Sequence, residues 1–306
     1  MAPILSTPAK TEDPVLRQIR DAYEEADAVS LRNAEKYRKI LAALSVLATL
    51  VAMAFLLYDE VYLQWMILIC GALLLILFRI GRLAERLQCH RNYLEHRLYA
   101  EALRVQGFLR SAGLTANAAD LLPWAWRMNV AWTEEKLRQI PTDTDPCGRQ
   151  PVLDMWVRAQ KDYHREALAR TKLRLGRNDR IVKIALAAAV LTYVAAVVFE
   201  IVCSGLITGI VRCTPETLDV SRTVLKVLMG SLSCATLFAG NYYGKLSLEE
   251  TAGDHRRMIA LYEHAEAQIL ERGETEELLL ELARESLGEN SSWYAYQSKN
   301  RPDISL

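Results

Sequence analysis

The chain has 306 residues, 51% of them hydrophobic and 24% charged, and its 37 basic and 37 acidic side chains leave no net charge. So much apolar content excludes a disordered chain, and so many charges exclude one made wholly of membrane-buried helices. The basic residues crowd the ends of apolar runs instead of forming a surplus, so their placement answers to topology and a nucleic-acid partner is not expected.

Residues 1–13 lack periodicity, and Thr11-Glu12-Asp13-Pro14 predicts a helix start with proline in the first turn. Val15–Lys39 reads as a polar helix. It runs into Ile40–Leu57, which carries no charge, and after Tyr58-Asp59-Glu60 a second apolar run follows at Val61–Phe78. As a helix each run spans roughly 27 Å, close to the hydrocarbon thickness of a bilayer. Lys36, Arg38 and Lys39 precede the first run, and Arg79, Arg82 and Arg86 follow the second. Basic ends and an acidic tip predict a transmembrane hairpin, about 40–78, with its tip facing outward. No small-residue cleavage site follows the first run, so the first span itself is expected to direct insertion.

Leu83, Leu87, Leu94, Leu98, Val105 and Leu109 then recur at helical spacing, predicting a long amphipathic helix that Ser111-Ala112-Gly113 ends. Leu121–Ile140, with Trp124, Trp126 and Trp132, reads as one or two short helices, either packed under a bundle or lying at a membrane interface. Residues 141–151, from Pro141 to Pro151, are the clearest linker. They separate a first tandem unit, 1–140, from a second, 152–306.

The second unit opens on a helix with Trp156, Gln160, Tyr163 and Ala167 on one face, turning basic through Lys172, Arg174, Arg177, Arg180 and Lys183. Ile184–Phe199 is apolar, Glu200 interrupts it, and Ile201–Val211 resumes it. Val224–Tyr243, with Lys226 near its start, completes a second hairpin at about 182–243. Glu200 and Lys226 each lie roughly 28 Å from the basic edge of their run, so both belong at the outer level. Tyr23 and Tyr163 stand at similar distances before the two hairpins. His90-Arg91 with Ala100-Glu101-Ala102 matches His255-Arg256 with Ala265-Glu266-Ala267 at identical spacing, which suggests a duplicated unit. Leu246–Leu287 reads as a charged helix or helix pair broken at Gly273, with Leu278, Leu279, Leu280, Leu282 and Leu287 as an apolar strip and Gly288 as a stop.

The expected fold is therefore all-α: an integral membrane protein with four transmembrane helices as two hairpins, plus long cytoplasmic amphipathic helices. Both termini and the central region would be cytoplasmic. No phosphate-cradling loop, metal-ligand spacing or nucleophile elbow occurs, so neither an enzyme nor a cofactor is expected. His90, His96, His164, His255 and His264 fall on helices read as surface helices, without an i,i+4 partner, and a zinc site is not expected. Cys203 and Cys213 bracket an outward segment, where they are either a disulfide closing a small loop or two unbonded thiols.

Ser231, Ser233, Thr236 and Asn241 on the fourth run are candidates to line a water path, with Glu200 and Lys226 at its mouth. The alternatives are that the hydroxyls bond to their own backbone and that Gly230 with Cys234 forms a small-residue packing seam. Glu200 and Lys226 would then anchor in headgroups or bridge to each other. Four spans enclose a water path poorly, so conduction would need a homo-oligomer.

The helix with Trp156, Gln160 and Tyr163 leading into a hairpin, and the closing run from Leu282 to Trp293, resemble the SLATT families, the SMODS- and SLOG-associating two-transmembrane effector domains of bacteria. Glu85-Arg86-Leu87, His90-Arg91 and the run Tyr99 to Arg104 look like the helix that follows the hairpin there, although Cys89-His90 replaces the usual aromatic-rich form. The resemblance covers most of the chain as two tandem units. It implies a pore-forming or membrane-disrupting effector of an anti-phage conflict system in the bacterial inner membrane. A separate nucleotide-sensing protein would switch it on. The competing reading is a non-conducting scaffold or sensor subunit that recruits cytoplasmic partners.

Overall fold

The computed structural model describes residues 13–142, 151–203, 214–245 and 247–299, with backbone only at Asn241 and Lys245. The described residues are helical throughout, without a strand. In chain order they form α1 (Pro14–Glu60), α2 (Met66–Leu87), α3 (Cys89–Ser111), α4 (Ala118–Leu121), α5 (Trp124–Asn129), α6 (Ala131–Arg138), a π-helical turn (Leu153–Arg158), α7 (Ala159–Cys203), α8 (Pro215–Lys245), α9 (Leu248–Arg272) and α10 (Glu276–Lys299). Four helical stretches are long and apolar enough to cross a membrane: Pro14–Glu60, Met66–Ser111, Leu153–Cys203 and Pro215–Arg272.

Contacts divide the chain into two compact units. A core unit gathers the described residues within Met1–Lys36, Gln88–Leu173 and Glu249–Asp303, and an apolar unit those within Tyr37–Leu87 and Arg174–Leu248. Each draws on both sequence halves, and α1 and α7 each contribute to both without a break.

In the core unit, α1 starts where Thr11-Glu12-Asp13-Pro14 predicts. Asp13 caps it, its Oδ1 accepting from Val15 N at 2.9 Å, while proline supplies a first-turn φ without wasting an amide. The Arg110 Nε donates to Asp13 Oδ2 at 2.6 Å, pinning the start of α1 to the end of α3. Burial pulls the Asp13 carboxyl upward, but Arg110 and the Val15 and Leu16 amides outweigh it and hold its pKa below the ordinary value.

Helix α3 is the axis of the core unit. The amphipathic helix expected here is instead buried on every side from Ala100 to Ala112, charged residues included. Helices α1, α9 and α10, the π-helical turn and the short helices contribute to the hydrophobic core around it. The apolar repeat from Leu94 to Leu109 marks one packed face. The other faces are closed by ion pairs, which periodicity cannot show. Phe108 of α3 stacks on Trp156 with ring centroids 5.0 Å apart.

The tryptophan segment forms two short helices, α5 and α6, within the one or two expected, and α4 precedes them at its edge. Trp126 is fully buried and donates from Nε1 to Thr133 Oγ1 at 2.8 Å, whereas Trp124 is 82% exposed. Gln106 of α3 holds the segment's entry, accepting from Ala118 N and donating to Ala116 O. The linker's ends, Pro141, Thr142 and Pro151, are non-helical, and 143–150 lie outside the described residues. Glu274 then caps the π-helical turn, its Oε1 accepting from Val152 N and Leu153 N at 2.9 and 3.0 Å.

Gly273, at φ +81°, does break α9 from α10, since only glycine takes that conformation without strain. Gly288 does not stop α10, which continues to Lys299. The glycine penalty of about 1 kcal/mol is offset by burial of Leu287 and Ser291 on either side.

In the apolar unit, α1 extends through Tyr58-Asp59-Glu60, which sequence assigned to the turn. The break falls instead at 61–65, where Tyr62 takes a left-handed φ of 55°. Asp and Glu within a helix's last turn do not end it; the left-handed residue does. A second left-handed residue, Gln88 at φ 45°, separates α2 from α3 where one continuous helix was expected.

Candidate functional sites

The core unit holds a buried ionic cluster. Arg97, Glu101 and Arg104 stand at i, i+4 and i+7 on α3, one above another on a single face. Glu101, 3% exposed, takes Arg97 Nη2 at 2.5 Å on one oxygen and Arg104 on the other. Arg97 Nη1 reaches Asp27 Oδ1 of α1 at 3.4 Å. Two arginines and two carboxylates thus neutralise one another inside the unit. Burial works to lower the Arg97 pKa, but Glu101 leads the effects that leave it raised, so the guanidinium stays charged. Tyr23, beside the cluster, is pushed up to about 12 by burial first and then by the Glu101 charge.

Facing this cluster, the π-helical turn and α7 present Trp156, Gln160 and His164 at successive i,i+4 positions, all buried. The His164 Nδ1 lies 3.1 Å from the His255 Nδ1 of α9, and its ring stacks on Tyr262 with centroids 6.0 Å apart. Burial, followed by the positive charge of Arg104, lowers the His164 pKa to about 3; His255 is lowered too, first by burial and then by Arg97. Both imidazoles are therefore neutral near pH 7, and one ring must donate its Nδ1 proton to the other. Gln160 Oε1, His164 Nε2 and Arg104 Nη1 are buried without a hydrogen-bond partner among the described residues.

His164 was expected on a surface helix; it is buried because it lies eight residues beyond Trp156 and so shares its face. Sequence reasoning missed the histidine pair and the Arg97–Glu101–Arg104 stripe. The only signal for the latter was charge recurring at the spacing of an otherwise apolar helix. Among the described residues no group of three or more histidine, cysteine or acidic side chains could hold a metal ion.

In the apolar unit, Glu200 and Lys226 do not bridge to each other. Glu200 of α7 binds Arg222 of α8 in a two-pronged ion pair, 2.6 and 2.8 Å, and Lys226 binds Glu60 at the end of α1 at 3.0 Å. One end of α8 is thereby tied to both α7 and α1. Sequence reasoning missed Arg222 and Glu60 because it compared only charges inside apolar runs.

Thr236 Oγ1 donates to Leu232 O at 2.8 Å, satisfying itself on its own helix. Ser231 is half-buried and Ser233 exposed. The Asn241 side chain lies outside what is described, as does Cys213 and with it the Cys203–Cys213 pairing.

Gly230 faces α1: a Cβ there would come within 2.9 Å of Leu56 Cδ1. Gly230→Ala should be tolerated by rotation of Leu56. Gly230→Leu should force α8 from α1 and cost about 1–3 kcal/mol. Thermal unfolding of the detergent-solubilised variants checks this, and equal midpoints for the two would refute it.

No protein-family model, curated protein or solved structure matches the chain.

Proposed function

We propose that this protein is a multi-pass effector of the bacterial cytoplasmic membrane, with four spans arranged as two hairpins and both termini in the cytoplasm. As a homo-oligomer it opens a conducting path when a cytoplasmic signal, delivered through a nucleotide-sensing protein, reaches its core unit. The observation that carries the reading is exposure: no more than 11% of any of the four apolar windows is buried within the chain. Leu68 is 74%, Leu191 68% and Leu237 71% exposed. In water each such side chain would forgo about 1.5–3 kcal/mol of burial, so these helices call for lipid or further copies of themselves.

Because α1 and α7 run from the core unit into the apolar unit without interruption, they are the segments that would pass a rearrangement of the core unit on to the apolar helices. Ser231, Ser233 and Asn241 would face the path, and the Glu200–Arg222 and Glu60–Lys226 pairs would stand at its mouth and hold it shut. The SLATT resemblance supplies the effector class; no catalytic step is assigned.

Dye release and single-channel recording on proteoliposomes test the proposal. Conductance is expected to rise in Arg222→Gln and Lys226→Gln, which break the two pairs. Silence of the wild type and of both variants, with and without the products of neighbouring genes, would defeat it. A non-conducting scaffold is the second reading. It is favoured by Trp124 and Met128, 82% and 84% exposed at i,i+4 on α5. If their replacement by serine abolishes cellular activity while the ion-pair variants leave it unchanged, the scaffold stands.

A further inference from the structure

Six exposed arginines in the apolar unit stand apart from the cations that the core unit pairs with carboxylates. Arg79, Arg82 and Arg86 stand at i, i+3 and i+7 on α2, and Arg174, Arg177 and Arg180 at three-residue steps on α7; all are exposed. None lies within 4.0 Å of a carboxylate among the described residues, and only Arg82 has a side-chain contact of note, its guanidinium 5.0 Å over the Phe78 ring. In the core unit, by contrast, Arg97, Arg104, Arg110, Arg138, Arg158 and Lys161 are each held by a carboxylate. Unpaired arginines beside available acids would be a wasted opportunity. Within the stripes themselves stand Glu85 on α2 and Asp179 on α7, but Asp179 is taken by Lys183 at 2.7 Å and neither comes within 4.0 Å of these arginines; the unit's other acids stand elsewhere.

Contacts within the unit show where. Glu60 meets Lys226, Glu200 meets Arg222, Gly230 faces Leu56, and Cys70 Sγ lies 4.0 Å from Val51 O. Asp59, Glu216 and Asp219 belong to the same neighbourhood by their closeness in sequence. The arginines lie about 14–24 Å beyond Cys70 along α2 and about 30–39 Å before Glu200 along α7, at 1.5 Å per residue. Apart from Glu85 and Asp179, the acids of the unit are drawn to the opposite reach of the helices, and none of the six arginines is held by a carboxylate among the described residues.

Each stripe also runs directly into exposed apolar surface: Leu75, Phe78 and Leu83 on α2, and Ile181, Ile184 and Leu191 on α7. A nucleic acid or an acidic peptide would use the charge and leave the apolar strip wet. An amphiphile with an anionic head uses both, its phosphate in the planar fork of an arginine and its acyl chain along the adjoining leucines and isoleucines. The geometry points to binding sites for anionic phospholipid on two stripes, Arg79, Arg82 and Arg86 on α2 and Arg174, Arg177 and Arg180 on α7. The inference rests on the membrane reading above and adds the lipid class that the apolar unit selects.

The test uses full-length protein reconstituted into nanodiscs of equal phosphatidylcholine and phosphatidylglycerol, where both faces are open and insertion direction is irrelevant. The lipid that stays bound through release and native mass spectrometry is identified. Phosphatidylglycerol should be enriched several-fold over the bulk mixture. The enrichment should fall to the bulk ratio when all six arginines become glutamine, and persist in Arg165→Gln/Arg170→Gln/Arg284→Gln, which removes charge from the core unit. Each three-residue set on its own should retain part of it. Should the six-arginine variant fail to fold, the two half-sets, checked by circular dichroism, decide the matter. Wild-type protein that enters the disc but holds lipid at the bulk ratio, or a six-arginine variant that keeps full enrichment, overturns the inference and leaves the membrane reading standing. Protein that stays soluble without detergent and never enters a disc overturns both.

Discussion

Glu101→Ala should destabilise the core unit by about 3–5 kcal/mol, enough to unfold a domain of ordinary stability. The carboxylate is the shared partner of two guanidinium groups, and Arg104 is 4% exposed. Removing it leaves a desolvated cation beside an already unpartnered Arg104 Nη1, with no water to screen it. Glu101→Gln should be milder, since a polar group of the same shape stays between the two guanidinium groups. Replacing both Glu101 and Arg104 by methionine should recover much of the loss. A buried pair exchanged for apolar groups of similar volume is near neutral, while half a pair is costly. Urea unfolding of the detergent-solubilised chain, with hydrogen exchange of the α3 amides to locate the loss, measures this. A Glu101→Ala cost below about 1 kcal/mol would mean the cluster does not hold the unit together.

The second large effect is with pH. His164 is held neutral by burial and by Arg104, its pKa falling from 6.5 to about 3. In the unfolded chain the same imidazole takes up a proton near pH 6.5, so the unfolded state binds more protons between pH 6.5 and 3. The contribution of His164 is fully present above pH 6.5 and is lost as pH falls to about 3. It amounts to a few kcal/mol. Protonating both rings would also set two N–H groups against each other across the 3.1 Å between their Nδ1 atoms.

Asp254 works in the opposite sense. Burial, only partly countered by Arg257 and aided by Glu250 and Glu289, raises it from 3.8 to about 6, so its folded form gains protons first as pH falls. Asp27 is likewise raised, first by burial. The informative quantity is therefore the difference between wild type and His164→Asn, which keeps Asp254 and Asp27 in place. Wild type should lose stability more steeply than the variant from pH 6.5 downward. Parallel curves would show that the histidine pair carries no proton linkage.

Much of the architecture was legible in the sequence. Uncharged runs of about 18 residues can hardly be anything but long helices with apolar surfaces. The Asp13-Pro14 start, the Ser111 end of α3 and the Gly273 break are local chain chemistry, decided within a few residues by capping and backbone sterics. Two local signals misled: Gly288 sits inside α10, where its neighbours are buried, and the acidic turn residues sit inside α1, which ends only before the left-handed Tyr62.

The partners of the charges were not legible. A bridge between Glu200 and Lys226 is one of the alternatives that their places in apolar runs suggest, yet Glu200 binds Arg222, and Lys226 binds Glu60, 166 positions away. Among the candidate lining residues, Thr236 turned out to satisfy its own helix, something its spacing to Leu232 permits but does not require.

By itself, then, the sequence determined where the long helices lie and which of them are long and apolar enough to cross a membrane, since both properties accumulate along the chain and need no distant contact. Only the tertiary structure decided that α3 runs through the middle of a unit with Glu101 neutralised inside it, and that His164 meets His255. Ion pairs and buried hydrogen bonds depend on which helix faces come together, and residues 91 positions apart carry no local trace of each other.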